Sequence, residues 1–193
     1  MLEHIRISKD GESMKKLGLL RIGKVELKIL RYLQTELKVI LQGIFDDIQI
    51  INKVCKIPKN SYDAATRKFL APLFMFEIRN YAEERDFDKI LGITSVELLD
   101  DERESFFGQA EYGPEAKIAM ISLYYLFPES YKKIKNLLLE RVLKETLHEI
   151  GHTLGLEHCI NNCVMIYSDE IISIDIKPAI FCEECREKIL KVS

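Results

Sequence analysis

The sequence predicts an α/β (α+β) fold: a mixed twisted sheet with helices packed on it, followed by a small C-terminal subdomain. Three observations carry this. Short apolar runs of strand length alternate with longer stripes of helical period, in the order βαβ…αβββ-α. A long helix comes last in that series. Beyond it, little chain remains with which to build a second core. At 193 residues, with 47% apolar residues, the whole suits one domain with a sizeable interior.

In chain order, residues 17–22 form a short apolar strand. Residues 25–44 repeat apolar side chains at Leu30, Leu33, Leu37, Ile40 and Ile44, the stripe of an amphipathic helix. Residues 47–54 read as a strand. Residues 62–85 read as mainly helical, with Pro72 marking a restart near the N-terminal part. Residues 88–98 read as one strand. Two further strands, 105–112 and 117–124, flank a Gly113-Pro114 turn. The long helix runs over 129–154. Its stripe of Leu139, Leu143, Leu147, Ile150 and Leu154 faces the sheet, which turns His148 and His152 away towards a cleft.

Three of the four histidines fall in one run, His148-Glu149-Ile150-Gly151-His152-Thr153-Leu154-Gly155-Leu156-Glu157-His158, which is a complete HExxHxxGxxH. On a helix, residues four apart share a face, so His148 and His152 can reach one ion. Glu149 points elsewhere and suits contact with a water at that ion. Gly155 tolerates a left-handed backbone and commonly ends a helix. The resulting turn can bring His158 back. Three nitrogens leave one position for water, the arrangement of a catalytic zinc site. Zinc activates that water and polarises a carbonyl, and Glu149 carries the proton from the water to the leaving nitrogen. The expected chemistry is amide-bond hydrolysis.

Four of the five cysteines follow at once: Cys159, Cys163, Cys182 and Cys185, the last two as a CxxC pair. Such spacing reads as a closed, structural zinc site. Two disulfides are the alternative. They are disfavoured in a reducing compartment, and less so in a hyperthermophile. The first residues, Met1-Leu2-Glu3-His4-Ile5-Arg6, are charged and lack an apolar core, so no secretory signal is read and a cytoplasmic location is expected. Cys55 stands alone and reads as a small buried apolar residue. Because Cys159 directly follows His158, the two metals must lie close together, and the second braces the loop that presents His158. The small segment after Gly155 is then held by zinc rather than by a core.

With these residues on the page, the chain resembles the metzincin clan of zinc peptidases, whose mark is HExxHxxGxxH followed by a methionine turn. The run His158-Cys159, Cys163-Val164-Met165 and Cys182-x-x-Cys185 looks like the archaemetzincins over roughly the last 45 residues. Upstream, Leu91-Gly92-Ile93-Thr94, Phe107-Gly108-Gln109-Ala110 and Ile121-Ser122-Leu123 are similar more loosely. The resemblance implies His148, His152 and His158 on a catalytic zinc, Glu149 as general base and Cys159, Cys163, Cys182 and Cys185 on a second zinc. It implies Met165 packing beneath the catalytic ion as the Met-turn residue. Some other metzincins place a tyrosine ligand two residues after that methionine. Here Tyr167 is read as a partly buried aromatic outside the ligand set. Metzincins bind substrate backbone along an antiparallel edge strand, and residues 106–112 are the candidate; an internal hairpin strand is the other reading.

The remaining composition narrows the partners. A net charge of -3 suggests no nucleic-acid footprint, and no apolar run approaches the length of a membrane span. The expectation is a cytoplasmic zinc metallopeptidase of metzincin-like minimal fold acting on a peptide or protein substrate, with two zinc ions per chain. One catalytic domain is divided into residues 1–155, with sheet and active-site helix, and 156–193, with the third histidine, the Met-turn and the four-cysteine site. A monomer is favoured. Two other readings stay open: a two-zinc peptide- or protein-binding module with weak or no hydrolysis, and a zinc hydrolase of non-peptide amides.

Overall fold

The computed structural model describes residues 15–100, 107–113, 115–127 and 134–192. Its elements are β1 (Lys16–Ile22), α1 (Leu27–Ile40), β2 (Asp47–Cys55), β3 (Tyr62–Asp63), β4 (Lys68–Leu70), α2 (Ala71–Glu83), β5 (Lys89–Thr94), β6 (Leu98–Leu99), β7 (Gly108–Ala110), β8 (Ile118–Ser122), α3 (Ile134–Thr153), α4 (Ile171–Ile176) and α5 (Glu183–Val192). The main sheet has the order β2-β1-β5-β8-β7. Its first four strands are parallel, and β7 closes the edge antiparallel to β8. The α/β architecture with a mixed sheet is therefore the one the sequence predicts.

Both faces of this sheet are covered at its centre, which is why the inner strands β1, β5 and β8 read as near-continuous apolar runs. Leu17, Leu19, Leu91, Ile93, Ala119 and Ile121 share a cluster with α1 and α3. Leu20, Ile22, Ile90, Ile118 and Met120 pack with α2. The two-residue period of each strand thus sorts its side chains between two cores. In α3, Leu143, Leu147, Ile150 and Leu154 are buried in the first of them, and Leu139 is partly buried against it.

Four details differ from the sequence expectation. α1 stops at Ile40, and Gly43 follows with φ of 81°; Ile44 still enters the core, but from a turn. Residues 62–70 form a hairpin of two short strands, not a helix. The Asp63 side chain accepts from the Ala65 and Thr66 N–H groups, Arg67 has φ of 62°, and the chain reverses. Helix α2 begins only at Ala71, with Pro72 in its first turn. The expected single strand over 88–98 divides, because β6 leaves the main sheet to pair with β4 in a second, three-stranded one. Residues 105, 106 and 129–133 of the expected elements lie outside the described residues.

The segment after Gly155 also has apolar anchors. Leu156, Val164, Met165, Ile174 and Ile189 are buried in the same cluster as α1 and α3. Holding by zinc instead of a core is corrected to anchoring in the main core, with the cysteine cluster added to it. Among the described residues no helix is long and apolar enough to cross a membrane.

Candidate metal centre and active-site cleft

Helix α3 ends in a tight left-handed turn. Gly155 has φ of 84°. The Leu156 N–H donates to the Gly151 carbonyl at 3.0 Å and the Gly155 N–H to that of His152 at 3.0 Å. This is the paired hydrogen-bond pattern of a Schellman cap, which needs glycine at the left-handed position. The turn brings His158 to His148 and His152, with ring centroids 5.3 and 5.0 Å away. His148 Nε2 and His152 Nε2 are 3.1 Å apart, close to the edge of about 3.3 Å expected for two nitrogens of a tetrahedral zinc at about 2.0–2.1 Å. One ligand atom from each of the three histidines lies within 4.8 Å of those of the other two.

The outer ring nitrogens are fixed by backbone carbonyls. His148 Nδ1–H donates to Val164 O at 3.0 Å and His152 Nδ1–H to Leu156 O at 2.8 Å. A carbonyl can only accept, so each Nδ1 carries the proton and each Nε2 keeps a lone pair turned inward. Burial, helped by the Lys177 charge and the neighbouring imidazoles, holds the His148 pKa down to about 2. Its ring is thus a neutral donor throughout the usual pH range. The three rings grade from buried His148 to exposed His158, so an ion among them is approached from the His158 side.

The cysteines fit a second ion. One Sγ from each of Cys159, Cys163, Cys182 and Cys185 lies within 4.8 Å of the others, and all four are free of disulfides. The Cys159–Cys182 separation of 3.8 Å matches the edge of a tetrahedron with Zn–S of about 2.3 Å, about 3.8 Å. Burial pushes the Cys163 thiol above its ordinary pKa, and the N–H groups of Cys182 and Met165, donating to its Sγ at 3.3 and 3.5 Å, offset part of that rise. Burial alone would raise the Cys182 thiol; hydrogen bonds from the Cys185 backbone and the neighbouring thiols outweigh it and bring the pKa to about 7. The two clusters are joined by the backbone: Cys159, next to His158, donates its N–H to Met165 O at 3.0 Å.

Met165 is fully buried and packs against Gly151 of α3. A Cβ built on Gly151 would lie 2.4 Å from Met165 Sδ, so the glycine inside the motif is the space the methionine occupies. Tyr167 differs from expectation. It is 58% exposed rather than partly buried, with its ring 5.0 Å from that of His158.

A cleft of about 910 Å³ runs past the histidines, lined by Phe107, Gly108, Gln109, Ala110 and Tyr112 on the β7 side, by Glu145 and Glu149 of α3, and by residues 167–170 opposite. Glu149 is 4% exposed, at the cleft wall. Sequence reasoning missed Lys177. This residue is fully buried, its Nζ 3.5 Å from Glu145 Oε2, and it acts electrostatically on Glu149 and His148. No local pattern marks it. In the sequence it is one of two charged residues alternating with isoleucine in Ile174-Asp175-Ile176-Lys177, which gives no sign of burial.

The chain resembles known proteins in sequence and in fold. Residues 23–191 match the sequence pattern of peptidase family M54. The archaemetzincin of Pyrococcus abyssi is 34% identical over 174 residues, which are 88% of this chain and 92% of that protein. The crystal structure of archaemetzincin from Methanopyrus kandleri superposes with a TM-score of 0.78 at 29% identity, covering 93% of this chain and 95% of that one. That of Archaeoglobus fulgidus, complexed with malonate, gives 0.70 at 27% identity, covering 90% and 99%.

Proposed function

Because the chain belongs to peptidase family M54, the archaemetzincins, we propose that His148, His152 and His158 hold its catalytic zinc and that Glu149 is the general base. Membership makes the chain a zinc metallopeptidase, whose substrates are peptides or proteins. When bound, zinc supplies Lewis acidity for water activation and carbonyl polarisation. The chain's residues do the rest. Carbonyls of Val164 and Leu156 aim two imidazoles. Glu149 takes the proton of the attacking water and returns it to the leaving nitrogen. The edge strand β7, on the cleft wall, seats the substrate backbone as an added strand.

Cys159, Cys163, Cys182 and Cys185 hold a second, structural zinc, so the full complement is two ions per chain. Met165 is the Met-turn residue. The chain works as one catalytic domain with subdomains 1–155 and 156–193, as a cytoplasmic monomer without nucleic-acid or membrane partners. The single observation that carries this reading is the convergence of three histidine nitrogens in the cleft that Glu149 also lines. The same observation supports hydrolysis over a module that only binds. Zinc-loaded protein should cleave members of a quenched peptide library, and Glu149→Ala should lower kcat by about 10²–10⁴-fold. Equal background rates in both would remove the catalytic role of Glu149.

A further inference from the structure

β7 and α3 meet where a side chain is missing. A Cβ built on Gly108 would lie 2.6 Å from both Cγ and Oε1 of Glu149, and 2.9 Å from its Cδ. Carbon atoms in favourable contact sit about 3.5–4.0 Å apart. Gly108 is an ordinary member of β7, opposite Ile121 of β8. It is not among the glycines with positive φ. Any residue could hold its backbone, so glycine is needed there for space alone, and that space is filled by Glu149.

We propose that Gly108 is a positioning residue for hydrolysis: lacking a side chain, it lets the edge strand that seats the substrate lie directly against the Glu149 carboxylate, so that substrate and base share one register. This rests on the peptidase reading above. A methyl group at 108 leaves every backbone N–H and C=O of β7 in place, so substrate seating survives. What must yield is the Glu149 side chain from Cγ outward, which has to turn about its Cα–Cβ bond and carries the carboxylate with it. Catalysis is far less tolerant, since a misplacement of about 1 Å can cost 10²-fold. The inference therefore separates three quantities that a general packing defect would move together: stability, substrate affinity and turnover.

The test is Gly108→Ala in the full zinc-loaded chain, read by crystallography, metal content and steady-state kinetics. The expected result is a Glu149 carboxylate displaced by about 1 Å or more, unchanged zinc content, kcat lowered by about tenfold to 10²-fold and KM within about twofold of wild type. Glu149 in its original position, or a rise in KM with kcat unchanged, overturns the proposal. Should Gly108→Ala prove unstable, Gly108→Ala/Glu149→Ala must recover the Tm of Glu149→Ala, because the contested space is then vacant; failure to recover it also overturns the proposal. If the wild type cuts no peptide, the peptidase reading fails, and the crystallographic displacement still decides whether Gly108 places Glu149.

Discussion

Glu149, His148 and His152 are set by a single helical turn, and His158 by one glycine. This local dependence is why the convergence of the three histidines was legible in the sequence. Helical spacing places two imidazoles, and only a left-handed residue such as Gly155 lets the chain return with the third. Met165 was legible only through resemblance, and its physical reason appears in three dimensions as the space above Gly151. That space gives a prediction with a definite sign. In an open helix, Gly→Ala stabilises by about 1 kcal/mol. At Gly151 the new methyl would sit 2.4 Å from Met165 Sδ, and overpacking of this kind costs about 1–3 kcal/mol. Gly151→Ala should lower stability in chemical denaturation. A gain would show that Met165 is not held there. Gly108 and Lys177 were not legible, since each matters through a partner far along the chain, and neither carries a local pattern.

Between elements, α3 and α4 are joined by ionic contacts rather than by apolar packing alone. Arg141 makes a two-pronged contact with Asp175, with Nε–Oδ1 2.6 Å and Nη2–Oδ2 2.7 Å. Lys144 Nζ donates to Asp175 O at 2.8 Å. Deeper, Lys177 faces Glu145, with side chains 0% and 5% exposed. Burial pushes the Lys177 ammonium below its ordinary pKa while Glu145 and Glu149 hold it up. Removing one partner of such a pair costs about 3–5 kcal/mol, whereas replacing both by apolar groups is often neutral. Lys177→Met should therefore destabilise by about 3 kcal/mol in urea, and Lys177→Met/Glu145→Met should recover most of the loss. Additive losses would mean the two charges do not depend on one another. At this scale the sequence was legible where apolar period and length agree, as in β1, β2 and α3. It misled where a side chain redirects the backbone. Apolar residues in 62–70 match a helical stripe, but Asp63 and the left-handed Arg67 turn them into a hairpin.

For the whole molecule, a histidine cluster and a cysteine cluster, each able to hold an ion, meet on one C-terminal stretch, which the main core also grips through Leu156, Val164, Met165, Ile174 and Ile189. His158 and Cys159 are neighbours, so the two sites share a backbone while each has its own ligand chemistry. A closed thiolate site should hold its ion more tightly than an open histidine site. Its loss should loosen residues 156–193 before the sheet, since metal-binding energy is folding energy there. Zinc counted by native mass spectrometry in the wild type, His148→Ala and Cys182→Ala decides whether there are two independent sites. Two ions are expected in the wild type and one in each variant, with thiolate-to-metal absorption after cobalt exchange kept in His148→Ala and lost in Cys182→Ala. Loss of the same single ion from both variants would contradict the two-metal centre.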